Sequence, residues 1–225
     1  MKHTKKKYQG ADNMIQKKTL LKSFLILSLF ASSATAVEVN IKKGLPYVDI
    51  EIDGKAFRIE RIQDTKHKLT NSYSKTSRPA PPFSIQPFQP IKGIETVSEL
   101  DVLDFLQDKV AKNQGILVDA RMPKWNRAGT IPGATNIPFS ILATKGKNHY
   151  IEKIFSLLGV KKAGGKWDFT NAQMLLVFDN GPWCQQGVRA MKNILKLGYP
   201  KSKILYYRGG MQYWQILGLT TMIPK

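Results

Sequence analysis

Three short apolar runs mark the second half of the chain: Gly115 to Asp119 (GILVD), Met174 to Phe178 (MLLVF) and Ile204 to Tyr207 (ILYY). Continuous runs of this length predict strands buried on both faces. Between and before them the apolar spacing changes to that of helices. Ser98 is placed to cap a helix carrying Leu100, Leu103, Leu106 and Val110 on one stripe, and Val188, Met191, Ile194 and Leu195 form a second stripe stopped by Gly198 and Pro200. Strands alternating with helices predict an α/β domain, a doubly wound parallel sheet with helices on both faces and its chemistry at the carboxyl ends of the strands.

The first half reads differently. From Val37 the pattern alternates as in a strand, and Val48 to Ile52, Asp53-Gly54 and Ala56 to Ile62 predict a hairpin with a tight turn, so that residues 37–76 form a small N-terminal β unit. Residues 77–93 hold Pro79, Pro81, Pro82, Pro87 and Pro90, which exclude helix and favour an extended linker. Phe83, Ile85 and Phe88 are apolar enough to seat this linker on the main domain, which is expected over 94–225.

Charge and targeting signals modify this picture at its start. Lys17, Lys18 and Lys22 precede the apolar run Phe24 to Ala31, and Ala34-Thr35-Ala36 follows, the order of a secretory signal over 1–36 with cleavage before Val37. The apolar run is too short to span a bilayer, so an uncleaved membrane anchor is the lesser alternative. The expected location is periplasmic or secreted, with membrane contact only during export. The net charge of +19 falls once this segment is removed, since its seven lysines and one aspartate leave 28 basic and 15 acidic residues, a net +13. With no basic block repeated in the body of the chain, the excess is read as a solvated face, ahead of a surface for nucleic acid or anionic lipid or one that gathers a small anionic substrate.

Cys184 is the chain's one cysteine, which excludes an intramolecular disulfide. A lone thiol in an exported protein is either an inert core group or one with a chemical task. Its neighbours favour the task. The strand Met174 to Phe178 ends in Asp179-Asn180-Gly181-Pro182, turns through Trp183, presents Cys184 and enters a helix near Gly187. Unpartnered amides at a helix start stabilise a thiolate, so Cys184 is expected to be partly ionised near neutral pH. Gly187 lets the backbone curl, the amides from Gln185 through Gln186, Gly187 and Val188 to Arg189 are the expected anion cradle, and Arg189 either adds positive charge or braces the loop through a carboxylate such as Asp119.

The stretch Cys184-Gln185-Gln186-Gly187-Val188-Arg189 resembles the active-site loop C-x-x-G-x-R of the rhodanese family. Leu117-Val118-Asp119-Ala120-Arg121, Gly129 to Pro138 (GTIPGATNIP) and Leu205 to Trp214 (LYYRGGMQYW) resemble three further motifs of that family, in its order, over Ile94 to Leu219. Thr130 and Gln185 depart from it, the latter standing where thiosulfate-using members often carry a basic residue. The resemblance implies a rhodanese fold and a sulfurtransferase whose Cys184 cycles through a persulfide, with Asp119 and Arg121 as structural support. The donor would be a small sulfur-containing anion and the acceptor a thiol, cyanide or a protein.

Other chemistries fit less well. A cysteine phosphatase on this fold places arginine six residues after cysteine, whereas Arg189 follows Cys184 by five; a thioredoxin-like dithiol needs a second cysteine where Gly187 stands. His3, His67 and His149 are scattered, which gives no metal site, and no motif calls for a cofactor. A rhodanese-like module that binds a partner or carries sulfur without turnover is the remaining rival. Gly209-Gly210 is read as a tight turn and Trp214 as core, with Trp183 either packing the loop or walling a pocket.

Overall fold

The three apolar runs form neighbouring strands at the centre of one parallel sheet, and their alternation sorts the core into two layers. The computed structural model describes residues 39–143 and 150–224; the expected export signal and the start at Val37 lie outside them. The strands are β1 (Tyr47–Ile52), β2 (Lys55–Glu60), β3 (Glu95–Val97), β4 (Gly115–Asp119), β5 (Thr135–Asn136), β6 (Lys161–Ala163), β7 (Lys166–Asp168), β8 (Met174–Phe178) and β9 (Ile204–Tyr207). The helices are α1 (Glu99–Phe105), α2 (Pro123–Arg127), α3 (Ile151–Leu157), α4 (Gln186–Lys196) and α5 (Gly210–Ile216). The central sheet has the order β3-β9-β8-β4-β5 with every pairing parallel.

Successive side chains of a strand point to opposite faces. Ile116 and Val118 of β4, Leu175 and Val177 of β8, and Ile204 and Tyr206 of β9 therefore meet α3 and α4, through Ile154, Phe155, Val188, Met191 and Ile194. Leu117, Leu176, Phe178 and Tyr207 face the other way, onto α1 and α5 through Val102, Leu103, Met211 and Trp214. This is the α/β architecture expected, with helices on both faces.

The β1–β2 hairpin turns at Asp53 and Gly54, whose φ values of 51° and 73° are those of a two-residue primed turn that matches the strand twist. Val48, Ile50 and Ile59 are buried in the same layer as α1 and α5, and Thr220 bonds Glu60 in both directions, so the hairpin completes one face of the core. The described residues form one compact unit.

Two expectations need correction. The stripe after Ser98 is not one helix: Asp101 accepts the Ser98 amide at 2.8 Å and starts α1, which gives way at Leu106–Val110 to a wider π turn, and Leu100 is exposed. That turn lies against Gly115, where a Cβ would stand 2.7 Å from the Phe105 ring and 2.8 Å from Lys109 Cβ. In the proline-rich segment Phe83 seats on the domain, but Ile85 and Phe88 are 86% and 71% exposed. The segment is held instead by its backbone and by buried Gln86: the Gln86 amide donates to Pro182 O at 2.7 Å, and Arg208 donates to Gln86 O at 2.8 Å. The helix stop is as expected, with Gly198 at φ 92° beyond α4.

Because Ile59 is fully buried in the shared layer, Ile59→Ala should lower the unfolding free energy of the whole unit by about 2–5 kcal/mol. Urea unfolding followed by tryptophan fluorescence and far-ultraviolet circular dichroism should then show one coincident transition at lower urea. An unchanged midpoint, or a separate early transition, would show that the hairpin is an appendage.

Candidate active site

The loop after β8 is built around a tight turn and two buried acceptors. Cys184 N donates to Gly181 O at 2.8 Å, closing the turn through Pro182 and Trp183 and lifting the thiol back over the end of its own strand. Asn180 Nδ2 reaches the Cys184 sulfur at 3.5 Å, and the amide of Gln186, the first residue of α4, also bonds it. Both donors aim at the point where a negative sulfur would sit.

The orientation of Asn180 is fixed from behind. Tyr73 Oη donates to Asn180 Oδ1 at 2.7 Å, leaving the amide nitrogen for Cys184, and Arg121 Nη1 donates to Tyr73 Oη at 3.0 Å. Arg121 in turn forms a bidentate pair with Asp119, at 2.8 Å and 2.6 Å, both side chains being fully buried. Asn126, Thr130 and the Arg121 amide complete the bonds to the Asp119 carboxylate. A hydrogen-bonded row thus runs from Asp119 through Arg121, Tyr73 and Asn180 to Cys184. Burial works against the Arg121 charge, but the bonds to Asp119 outweigh it and hold the guanidinium above its usual range.

Asp179 is the second buried acceptor. It follows β8 directly and receives the Gly187 amide at 2.7 Å and the Gly181 amide at 3.1 Å. Gly187 allows a close approach, since a Cβ there would stand 3.1 Å from Asp179 Oδ2 and 3.0 Å from the Tyr206 ring and would crowd both. The Gly209-Gly210 step lets α5 approach from the other side. Gly210 has φ 54°, and a Cβ on it would stand 2.7 Å from Gly181 N. From there Met211 N caps Asp179 O and Gln212 N caps Asn180 O, each at 3.0 Å.

These surroundings overturn one expectation. Cys184 is 1% exposed, and burial, reinforced by the Asp179 charge, pushes the thiol up to about 12 against the Gln186 and Asn180 donors, so it is protonated near neutral pH. Burial likewise pushes Asp179 up to about 7, opposed by the Gly187 and Gly181 amides. A helix start does not produce a thiolate where the sulfur is out of water and a carboxylate is its neighbour.

The expected cradle is only partly assembled. The Gln186 amide reaches the sulfur, while its side chain accepts Met122 N at 2.9 Å and ties α4 to the start of α2. The Gly187 amide is committed to Asp179, Val188 packs into the core, Gln185 is exposed, and the Arg189 amide bonds Gln185 O at 2.9 Å. Nor does Arg189 brace the loop through Asp119. It is exposed, with its guanidinium 4.4 Å from the Phe139 ring centre, because Arg121 already saturates Asp119 and the loop is braced by Asp179. Trp183 serves packing: Arg78 stacks on it at 3.7 Å, Phe83 meets it edge-on, and Gln212 accepts its Nε1 at 2.7 Å.

Sequence reasoning missed three contributors. Asp179 and Asn180 carried a usable signal, two polar residues at the carboxyl end of a wholly apolar parallel strand. Tyr73, more than 100 positions before Cys184, carried none. Among the described residues no group of three or more His, Cys, Asp or Glu side chains is placed to hold a metal, and no helix is long and apolar enough to cross a membrane.

Comparison with known proteins gives this arrangement a family. The model of the rhodanese-like domain matches residues 102–217, just over half of the chain. Among solved structures the chain is similar to a human single-domain sulfurtransferase, at 27% identity and TM-score 0.37 over 54% of this chain and 95% of that one. It is also similar to a rhodanese-related protein from Thermoplasma volcanium (18%, TM-score 0.38, 58% and 99%) and to a thiosulfate sulfurtransferase from Pseudomonas aeruginosa (14%, TM-score 0.40, 59% and 21%). No curated protein matches. With the family model spanning just over half of the chain and four of the five strands of the central sheet, β4, β5, β8 and β9, the chain belongs to the rhodanese-like domain family.

Proposed function

We propose that this protein is a sulfurtransferase that takes a sulfane sulfur from a small anionic donor, polysulfide or thiosulfate-like, onto Cys184 and passes it to a thiol or cyanide. The observation that carries the reading is the placement of the chain's only thiol: at the start of the 11-residue α4, with the Gln186 amide and the Asn180 carboxamide converging on its sulfur. In the forward half the Cys184 sulfur attacks the outer sulfur of the donor, a new S–S bond forms, and the donor's S–S bond breaks with its electron pair leaving on the departing group. The terminal persulfide sulfur then carries the negative charge that those donors face. In the return half the acceptor attacks that outer sulfur and Cys184 recovers its own. The net +13 of the body of the chain favours the approach of anions.

A second reading, a binding or sulfur-carrier module without turnover, is favoured by one specific observation, the burial of Cys184 to 1% exposure. A donor reaches the sulfur only if the Gly181–Cys184 turn, covered by Trp183, Phe83 and Arg78, opens. A partner protein that opens the turn on docking would make the same cysteine a carrier.

Treating the protein with benzenethiosulfonate or polysulfide should add the mass of one sulfur atom to Cys184, removed by cyanide with release of thiocyanate. Cys184→Ser should abolish both while keeping the unfolding transition of the native chain. Undiminished thiocyanate production by the serine variant overturns the reading, and a stable persulfide that no small acceptor discharges favours the carrier.

We also infer export to the periplasm or beyond, from the basic, apolar and small-residue order of residues 1–36. Intact-mass measurement of protein from the exported fraction should give a chain beginning at Val37. Full-length protein in the membrane fraction would point instead to the uncleaved anchor.

A further inference from the structure

We propose that Asp179 is the proton acceptor for Cys184: its carboxylate takes the thiol proton as the sulfur attacks the donor, and returns it when the acceptor removes the transferred sulfur. This role rests on the sulfurtransferase reading above. Three observations lead to it. The amides of Gly181 and Gly187, three residues to either side of Cys184, both donate to the Asp179 carboxylate, so the loop that carries the thiol is folded around the acid. The carboxylate has no cationic partner, the ion pairs among the described residues being Arg58–Asp49, Lys112–Asp108, Arg121–Asp119 and Lys162–Glu152. Two glycines have no side chain where one would collide with the acid or its loop, Gly187 by close approach and Gly210 by close approach and φ.

A lone carboxylate out of water is a costly group, and one well-placed amide oxygen could accept from the same loop with less desolvation. What only the acid offers is a second protonation state. Gly187 and Gly181 hold the carboxylate form by their amides, Asn180 and Gln186 hold the sulfur anion, and the site is thus wired for a single negative charge that resides on either atom group. The other titratable groups facing the pair do not compete for the proton. Asp119 is spent on Arg121, Tyr73 donates to Asn180, and Tyr206 on β9 is a buried phenol with no hydrogen-bond partner among the described residues. Arg208, next to β9, is bound to the Gln86 and Pro87 carbonyls.

The balance closes without an external base. Cys184–SH and Asp179–COO⁻ with a thiosulfonate R–SO2–S⁻ give Cys184–S–S⁻, Asp179–COOH and the sulfinate R–SO2⁻. Cyanide then takes the outer sulfur as thiocyanate, and the Cys184 thiolate recovers its proton from Asp179. Neither atoms nor charge are left over, and no histidine is needed.

The pH dependence has a definite sign. The carboxylate form is the base, so reactivity should be low where Asp179 is protonated and rise as pH passes through about 7. Stability should move the opposite way. The folded state binds the Asp179 proton to higher pH than the unfolded chain, so this group's contribution to stability falls from about pH 4 to about pH 7 and is level above.

The test uses the full chain, whose one cysteine makes the readout unambiguous. The rate of iodoacetamide alkylation of Cys184, and of persulfide formation from benzenethiosulfonate, should climb about tenfold per pH unit below 7 and level off above it. Asp179→Asn should lower both rates at least tenfold at pH 7.5 and replace the plateau with a rise that continues to pH 10, while Asp179→Glu restores an inflection. If the asparagine variant does not fold, the native profile still decides: a continuous rise to pH 10 overturns the proposal. Persulfide formation with identical profiles in native protein and Asp179→Asn refutes Asp179 and leaves the sulfurtransferase reading intact. An Asp179-dependent alkylation plateau with no persulfide from any donor supports the proton transfer and refutes the sulfurtransferase reading.

Discussion

The bidentate pair between Asp119 and Arg121 is the fixed point of this molecule. Both groups are fully out of water at the carboxyl end of β4. Such a pair is no strong source of net stability, because desolvation offsets most of the attraction, but removing either partner strands a buried charge at a cost of about 3–5 kcal/mol. What the pair does provide is geometry. Through the remaining donors and acceptors of two side chains it ties together α2 by Asn126, the loop at Gly129 and Thr130, the segment following the hairpin by Tyr73, and through Tyr73 the amide that bonds the sulfur. A change at any of these is felt at Cys184 without touching it.

The two buried aspartates at the ends of adjacent strands make a controlled contrast. Asp119 has a guanidinium, a carboxamide, a hydroxyl and a backbone amide; Asp179 has two backbone amides. The first is neutralised in place and holds structure. Burial pushes the second up to about 7, into the range where a proton is exchanged at working pH. Equal residue type and equal burial thus give different chemistry, and the difference lies in whether a cation accompanies the carboxylate.

The same contrast separates what was legible in the sequence from what was not. The strands GILVD, MLLVF and ILYY were readable because burial on both faces leaves an uninterrupted apolar signature, and the hairpin because Asp53-Gly54 has only one economical geometry between two alternating segments. Elements fixed by tertiary contact left no such mark: β5 is two residues long, β3 is three, and the π turn at Leu106–Val110 answers to Gly115 rather than to its own periodicity. In the site, Cys184 and Gly187 followed from local order. The ionisation of Cys184 did not, because a helix start argues for a thiolate only when the sulfur faces water, and burial is a property of the assembled loop.

Burial of the thiol lowers the risk that a lone cysteine would run in an oxidising compartment. An exposed thiolate in an oxidising compartment is consumed by oxidation or by dimer formation, since both need the ionised sulfur at the surface. Here the sulfur is buried and protonated near neutral pH, and under the proposed function its reaction would require the Gly181–Cys184 turn to open. Selectivity then lies in access more than in intrinsic nucleophilicity. Under that reading a small anionic donor able to enter the turn would reach the sulfur, whereas a bulky disulfide would meet Trp183 packed against Arg78 and Phe83. The segment before the main domain sets Arg78 and Phe83 against Trp183, Gln86 against Pro182 and Tyr73 behind Asn180, and so is structurally part of the site.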